Sequence, residues 1–112
     1  MTDVTLKTRS VTVSVDASQT ITVSPDPVTV NGNNVLIVFG LATSGYKFPN
    51  SNAVVVTSPG AQFPYPVWTI SNTQAALLDV NDETGDYKYT VNLVNIATGA
   101  PISLDPSIRN EG

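Results

Sequence analysis

The stretch Val11-Thr-Val-Ser-Val15 alternates β-branched apolar residues with small hydroxyl residues. Ile21-Thr-Val-Ser24 repeats the pattern, and Tyr87-Lys-Tyr-Thr-Val-Asn-Leu93 extends it nearer the end of the chain. A period of two places alternate side chains on opposite faces of a β-strand. Val and Thr are favoured there because their stiff side chains pack well on a pleated surface. The pattern therefore predicts strands with one buried face and one exposed face.

Four further runs are apolar without a clear alternation. Val35-Leu-Ile-Val-Phe39 and Ala53-Val-Val-Val56 predict strands that are covered on both faces or central in a sandwich. Val67-Trp-Thr-Ile70 is a further predicted strand. Ala75-Ala-Leu-Leu78 fits either a strand or a single helical turn, since Ala and Leu prefer helices.

Turn residues separate these runs. Pro25-Asp-Pro27 ends one strand, and Asn31-Gly-Asn-Asn34 predicts a hairpin turn because Asn and Gly tolerate the positive φ that such turns require. Together the signals predict an all-β fold, a single antiparallel Greek-key β-sandwich of about seven or eight strands. The 112 residues fit one domain. Residues 1–10 are predicted to form an edge strand or a tail, and residues 109–112 are predicted to fray.

The composition excludes several classes of function. The chain has no Cys and no His, which removes thiolate nucleophiles, disulfides and the commonest base and metal ligand near neutral pH. Five scattered basic residues against nine acidic ones give a net charge of −4, so no nucleic-acid surface is expected. No apolar run approaches the about 20 residues of a membrane helix, and the first residues lack a signal-peptide pattern. We expect a soluble cytoplasmic protein without a cofactor.

Three segments together resemble a known family. They are Gly45-Tyr-Lys-Phe48, Asp86-Tyr-Lys-Tyr-Thr-Val91 and Leu104-Asp-Pro-Ser-Ile-Arg-Asn110. A Tyr-x-Tyr-x-Val strand followed by a terminal Asp-Pro-x-Ile resembles the last hairpin of cupredoxin-like β-sandwiches, which share an immunoglobulin-like architecture. With Ser24-Pro25 and Trp68, the combination is similar to a small bacterial family of uncharacterised proteins labelled DP-EP.

The resemblance implies a fold and no reaction, because fold does not fix function. Blue-copper proteins bind copper through two His and one Cys, usually with an axial Met. The chain has neither His nor Cys, and its one Met is Met1, so copper electron transfer is excluded by composition. The sequence also shows no convincing set of catalytic residues. Ser44 and Lys47 have a Ser-x-x-Lys spacing, but they flank a Gly-Tyr turn instead of lying on a helix. The sequence predicts no catalytic residues and no enzyme.

The stretch Asp79-Val-Asn-Asp-Glu-Thr-Gly-Asp86 is the first candidate site, since calcium takes six to eight hard oxygen ligands. The EF-hand pattern fails, because Gly85 falls one position too late and Thr90 stands where that loop needs Glu. The alternative is an exposed hairpin connection in which Asp and Asn make local hydrogen bonds. The candidate calcium ligands are Asp79, Asn81, Asp82, Glu83 and Asp86.

Aromatic residues beside prolines in two loops are the second candidate site. Flat aromatic faces can stack on sugar rings or proline-rich peptides, or form a subunit interface. The alternative is that these side chains plug one end of the sandwich, with Trp68 in the core. The candidate binding residues are Tyr46, Phe48, Phe63, Tyr65 and Trp68.

Two valine-rich strands could support self-association. Val11–Val15 and Val54–Val56 are uncharged, and an uncovered edge of this type tends to pair with another chain. If either strand lies at the edge of a sheet, a homodimer with a continuous sheet is expected. The alternative is that both strands are internal. Two hypotheses for function result: a non-catalytic structural or protein-interaction domain, and a small module that binds saccharide or peptide through its loop aromatics.

Overall fold

The computed structural model describes residues 7–111, which form two β-sheets packed face to face around one core. The expected all-β sandwich is confirmed. Within that range no helix is long and apolar enough to cross a membrane. The strands are β1 (Lys7–Val15), β2 (Ile21–Ser24), β3 (Val28–Val30), β4 (Val35–Leu41), β5 (Tyr46–Lys47), β6 (Val54–Val56), β7 (Trp68–Ser71), β8 (Gln74–Asp79), β9 (Gly85–Asn95), β10 (Pro101–Leu104) and β11 (Ser107–Asn110).

The first sheet has the strand order β2-β1-β4-β8-β7. Its central strand β4 runs parallel to β1 and antiparallel to β8. The run at residues 75–78 is therefore a strand and not a helical turn. At one edge, β7 pairs with β8 and contains a register shift between Thr69 and Ser71.

The second sheet is organised around β9. Strands β11 and β10 follow one another along one side of β9, while β6 and β5 lie along the other side. The two strands β10 and β11 keep one register, because Leu104 faces Val91 and Ser107 faces Lys88. The ladder is interrupted at Pro106, which has no N–H but whose carbonyl accepts a hydrogen bond from Tyr89 N at 3.0 Å. Beyond β11, the short strand β3 is added in parallel.

The core lies between the two sheets and is made of the alternating residues that the sequence pattern assigns to one face. Val11, Val13 and Val15 are all buried, whereas Thr12 between them is exposed. The rings of Phe39 from the first sheet and Tyr89 from the second meet with their centroids 5.6 Å apart. Burying apolar area of this kind contributes about 25 cal/mol per Å² and is the main force that holds the sheets together.

Several sequence-based expectations need correction. Residues 7–111 form eleven strands instead of seven or eight, because strands of two to four residues such as β5 show no readable alternation. Two strand pairs are parallel, so the sheets are mixed and not purely antiparallel. The turn at residues 31–34 has the expected positive φ at Gly32 (83°) and Asn34 (56°). It nevertheless joins β3 to β4 in the other sheet, so it is not a hairpin.

The ends of the chain differ in part from expectation. Residues 1–6 of the predicted edge strand or tail lie outside the described residues. Residues 7–10 belong to β1 and pair with β4 alone, since β2 begins its pairing at Thr12. The expected fraying is wrong for Arg109 and Asn110, both of which pair with β9 and β3.

The hydroxyl of Tyr89 is buried in the core and has no hydrogen-bond partner among the residues that the structure describes. A buried hydroxyl that lacks a partner costs free energy, and replacing it by hydrogen of the same shape removes that cost. We expect Tyr89→Phe to leave the free energy of unfolding unchanged or to raise it by up to about 2 kcal/mol, as measured by urea denaturation. A loss of more than about 1 kcal/mol would mean that the hydroxyl has an acceptor.

Candidate functional site

The five aromatic candidates do not form one surface. Phe48 and Phe63 are buried, and Tyr46 is half-buried against the core. Tyr65 and Trp68, in contrast, are 53% and 46% exposed. Placement of Trp68 in the core is therefore wrong, and the aromatic residues are divided between packing and an exposed surface.

Tyr65, Trp68 and Ile70 form an exposed apolar surface at the edge of the first sheet, which we call the β7 surface. The Tyr65 and Trp68 rings lie with centroids 5.9 Å apart and planes tilted by 40°. Ile70 is 58% exposed. Trp68 pairs with Ala76 of β8. Thr69 is half-buried, whereas Trp68 and Ile70 on either side of it are exposed, so both apolar side chains project from the outer face of the sheet. The unpaired edge of β7 and three exposed apolar side chains thus lie on the same part of the surface.

A groove of about 220 Å³ lies where the loop between β6 and β7 crosses from the second sheet to the first. One wall is β6, whose middle residue Val55 is partly exposed. Phe63 packs edge-on against Tyr87 with the ring centroids 5.1 Å apart, which holds the loop against the second sheet. The lining residues are Asn52, Val54, Val55, Val56, Pro59, Phe63, Pro64, Tyr65, Pro66, Val67 and Leu77.

The structure separates the two valine-rich strands, which the sequence left equivalent. The Val11–Val15 part of β1 lies between β2 and β4, so its backbone is paired on both sides. Val54–Val56 forms β6, which pairs with β9 alone among the strands of residues 7–111. Only the second of these strands is an edge.

The acidic stretch does not bring its candidate calcium ligands together. Asp82, Glu83 and Asp86 are exposed, and Asp86 accepts a hydrogen bond from Arg109 Nε at 3.1 Å in a surface ion pair. Across residues 7–111, no three acidic side chains are placed to hold a metal ion. The stretch also leads from β8 in the first sheet to β9 in the second, so the alternative of a hairpin connection is wrong as well.

Asp79 and Asn81 instead belong to a buried polar cluster with Asn110. Asp79 Oδ1 accepts hydrogen bonds from the backbone N–H of Asn81 at 3.0 Å and from Asn110 Nδ2 at 2.9 Å. Asn81 Nδ2 donates to the carbonyls of Val30 and Gly32 at 3.2 and 2.8 Å. The cluster therefore joins the end of β8 to β3 and β11 in the opposite sheet. Sequence reasoning missed it, because Asn110 was assigned to a frayed end and Asp79 to an exposed loop.

Burial dominates the electrostatics of this cluster. It raises the pKa of the Asp79 carboxyl from 3.8 to about 6, against the opposing effect of the hydrogen bonds from Asn110 and Asn81. Within the described part of the chain, Asp79 Oδ2 and Asn110 Oδ1 have no hydrogen-bond partner. The carboxyl is fully enclosed, so it is not accessible to a substrate.

The chain matches no protein-family model and no curated protein.

Proposed function

We propose that the protein is a non-catalytic interaction domain that self-associates through the β7 surface into a two-fold symmetric homodimer. One observation carries this proposal: a solvent-facing Trp68 on an edge strand, between exposed Tyr65 and Ile70. Large aromatic side chains rarely lie exposed together on a monomer, and such patches mark interaction sites.

The chemistry of β7 supports pairing with a second copy. Natural edge strands are usually protected by charged side chains, and β7 (Trp-Thr-Ile-Ser) has none. An antiparallel pair of β7 strands would extend the first sheet across the symmetry axis and bring Trp68 and Ile70 of the two copies into contact on its outer face. The absence of His and Cys from the chain supports the non-catalytic part of the proposal.

Sedimentation velocity over a range of protein concentration tests the dimer. We expect the wild-type protein to pass from monomer to dimer, and we expect Trp68→Ala to weaken the dimer by about 2 kcal/mol or more, the usual cost of removing a central interface aromatic. Trp68 is the single Trp, so its fluorescence should also shift to the blue as the dimer forms. The matched control is Ile96→Ala, an exposed apolar residue outside the β7 surface, which should leave the dimer unchanged.

A wild-type protein that stays monomeric at all concentrations, with unchanged Trp68 emission, would refute the dimer. The second candidate function is then recognition of a saccharide or peptide, which the exposed and adjacent Tyr65 and Trp68 rings favour. Titration of the monomer with oligosaccharides should in that case change Trp68 fluorescence saturably, and Tyr65→Ala should abolish the change.

Membership of the DP-EP-type family, and with it a cupredoxin-like form of the sandwich, is also a proposal. The pairing of β9 with β10 and β11 supports it, since these strands form the terminal hairpin on which the resemblance depends. The proposed family membership does not imply copper binding, because the chain has neither His nor Cys.

A further inference from the structure

The dipeptide Asn31-Gly32 lies in the turn that carries the chain from β3 in the second sheet to β4 in the first, and it is the one Asn-Gly of the sequence. The side chain of Asn31 is exposed and makes no hydrogen bond within residues 7–111. Asn33 in the same turn is anchored, in contrast, because its Nδ2 donates to the Asn81 carbonyl at 3.0 Å and to Asp82 Oδ1 at 3.2 Å. The carboxamide of Asn31 is therefore free to turn toward the backbone that follows it.

The backbone nitrogen of Gly32 is the group that this carboxamide meets. Its N–H donates to no acceptor in the described part of the chain, and glycine leaves the approach to the nitrogen open because it has no Cβ. Lys7 of the neighbouring strand β1 lies alongside, since a Cβ built on Gly32 would be 2.5 Å from Lys7 Nζ. A Cβ is itself about 2.5 Å from its own backbone nitrogen, so the ammonium lies within about 5 Å of the Gly32 nitrogen.

This arrangement favours loss of the Asn31 amide as ammonia. The Gly32 nitrogen attacks Asn31 Cγ and forms an N–Cγ bond, while the Cγ–Nδ2 bond breaks and Nδ2 leaves as ammonia with the proton taken from the Gly32 nitrogen. A cation beside the nitrogen stabilises the negative charge that develops during the attack. Water then opens the five-membered succinimide. Cleavage of the new N–Cγ bond gives aspartate, and cleavage of the original peptide bond gives isoaspartate, so each event consumes one water and releases one ammonia.

We propose that Asn31 is a site of spontaneous deamidation in the folded protein, promoted by the Lys7 ammonium. The proposal goes beyond the interaction function and is independent of self-association through the β7 surface.

The isoaspartate product alters a contact between the sheets. Asn81 Nδ2 donates to the carbonyls of Val30 and Gly32 at 3.2 and 2.8 Å, so one amide holds the chain on both sides of Asn31. The Val30 carbonyl is also fixed by Glu111 N at 2.9 Å. Isoaspartate lengthens the backbone between the two carbonyls by one carbon–carbon bond of about 1.5 Å, which displaces Gly32 from Asn81. The modification therefore loosens the crossing from β3 to β4, whereas aspartate leaves the backbone length unchanged.

Peptide mapping by mass spectrometry after incubation of the native protein at mildly alkaline pH tests the site. Trypsin cleaves after Arg9, Lys47 and Lys88, so Asn31 and Asn50 fall in separate peptides. We expect Asn31 to convert about tenfold or more faster than Asn50, which is equally exposed but precedes Ser51, a residue with a Cβ. An isoaspartyl methyltransferase with labelled S-adenosylmethionine should label the incubated protein and not the fresh protein. An Asn31 that stays intact in native buffer would overturn the proposal, whether or not it converts in guanidinium chloride.

Two lysine variants test the role of the cation. Lys7→Gln should slow the conversion of Asn31 about threefold, the effect of one exposed charge at short distance. Lys88→Gln is the matched control, because it removes the same charge from an exposed position of β9 and should leave the rate unchanged. Equal rates in the wild type and both variants would overturn the role of Lys7.

Urea unfolding before and after incubation tests the consequence for the fold. The isoaspartate form should unfold at a urea concentration about 0.5–1 M lower than the fresh protein, because it lacks the Asn81–Gly32 hydrogen bond. Asn31→Gln keeps an exposed amide but would have to close a six-membered ring, so its midpoint should not change on incubation. Fresh Asn31→Asp carries the charge of the products without the added backbone carbon and should match the fresh wild type. An isoaspartate form with the midpoint of the fresh wild type would contradict the loosened crossing.

Discussion

Replacing Asn81 with leucine is expected to lower the free energy of unfolding by about 3–4 kcal/mol. The substitution acts in two ways. It removes the side-chain donor of the Gly32 carbonyl, and a polar group left without a partner costs about 1–3 kcal/mol, whereas the Val30 carbonyl keeps the hydrogen bond from Glu111 N. It also places a bulky side chain at φ = 54°, a left-handed conformation that costs roughly 1–2 kcal/mol for residues other than glycine. Equilibrium unfolding in urea measures the sum.

Two variants separate the contributions. Asn81→Gly removes the donor but relieves the backbone strain, whereas Asn81→Ala removes the donor and keeps the strain. We expect the alanine variant to be less stable than the glycine variant by about 1 kcal/mol, and both to be less stable than the wild type. A leucine variant within about 1 kcal/mol of the wild type would show that the cluster does not hold the sheets together.

The second large effect is a pH dependence of stability that Asp79→Asn should remove. The Asp79 carboxyl has a pKa of about 6 in the folded protein against 3.8 as the ordinary value. The folded state therefore binds the proton more tightly than the unfolded state. Its contribution to stability is complete below about pH 4 and is lost as the pH rises to about 6, by on the order of 3 kcal/mol.

Urea unfolding of the wild type and of Asp79→Asn at a series of pH values tests this linkage. The amide keeps one oxygen to accept from Asn81 N–H and Asn110 Nδ2 but carries no charge. The remaining carboxylates titrate in both proteins, so the difference between the two curves isolates residue 79. Between about pH 4 and pH 7, stability of the wild type should fall relative to the variant by on the order of 3 kcal/mol. Curves that run parallel would mean that the folded carboxyl titrates at its ordinary pKa.

The fold class could be predicted because the deciding signal is local. In β1 and β9, alternation over five to seven residues determines which side chains face the core, and the structure follows it residue by residue. Which strands pair with each other, in contrast, is not determined by local sequence. The turn at residues 31–34 has the conformation expected from Asn and Gly, yet the chain crosses there to the opposite sheet. Local turn chemistry sets φ, whereas tertiary packing decides which strand comes next.

The candidate sites were predicted less well, because composition does not reveal exposure. Phe63 and Tyr65 are two residues apart and both lie beside prolines, but one is buried and the other is exposed. The sequence places Asp79 in an exposed loop, since its buried partner Asn110 comes from β11, far away in the sequence. The open edge of β6 likewise depends on which strands surround it. Only long-range pairing distinguishes it from the equally valine-rich β1.

The central position of β9 has a consequence for synthesis of the protein. All strands of the first sheet have left the peptidyl-transferase centre once Asp79 is made, but Tyr89, Val91, Leu93 and Ile108, which complete the core against them, come from β9 and β11. Val28 finds its partner Ile108 only after β4 to β10 have been synthesised. Translation of the 31 residues from Val80 to Asn110 takes roughly 2–6 s at about 5–20 residues per second. Until β11 has been synthesised the core between the two sheets stays incomplete, so the sandwich cannot fold strand by strand during translation.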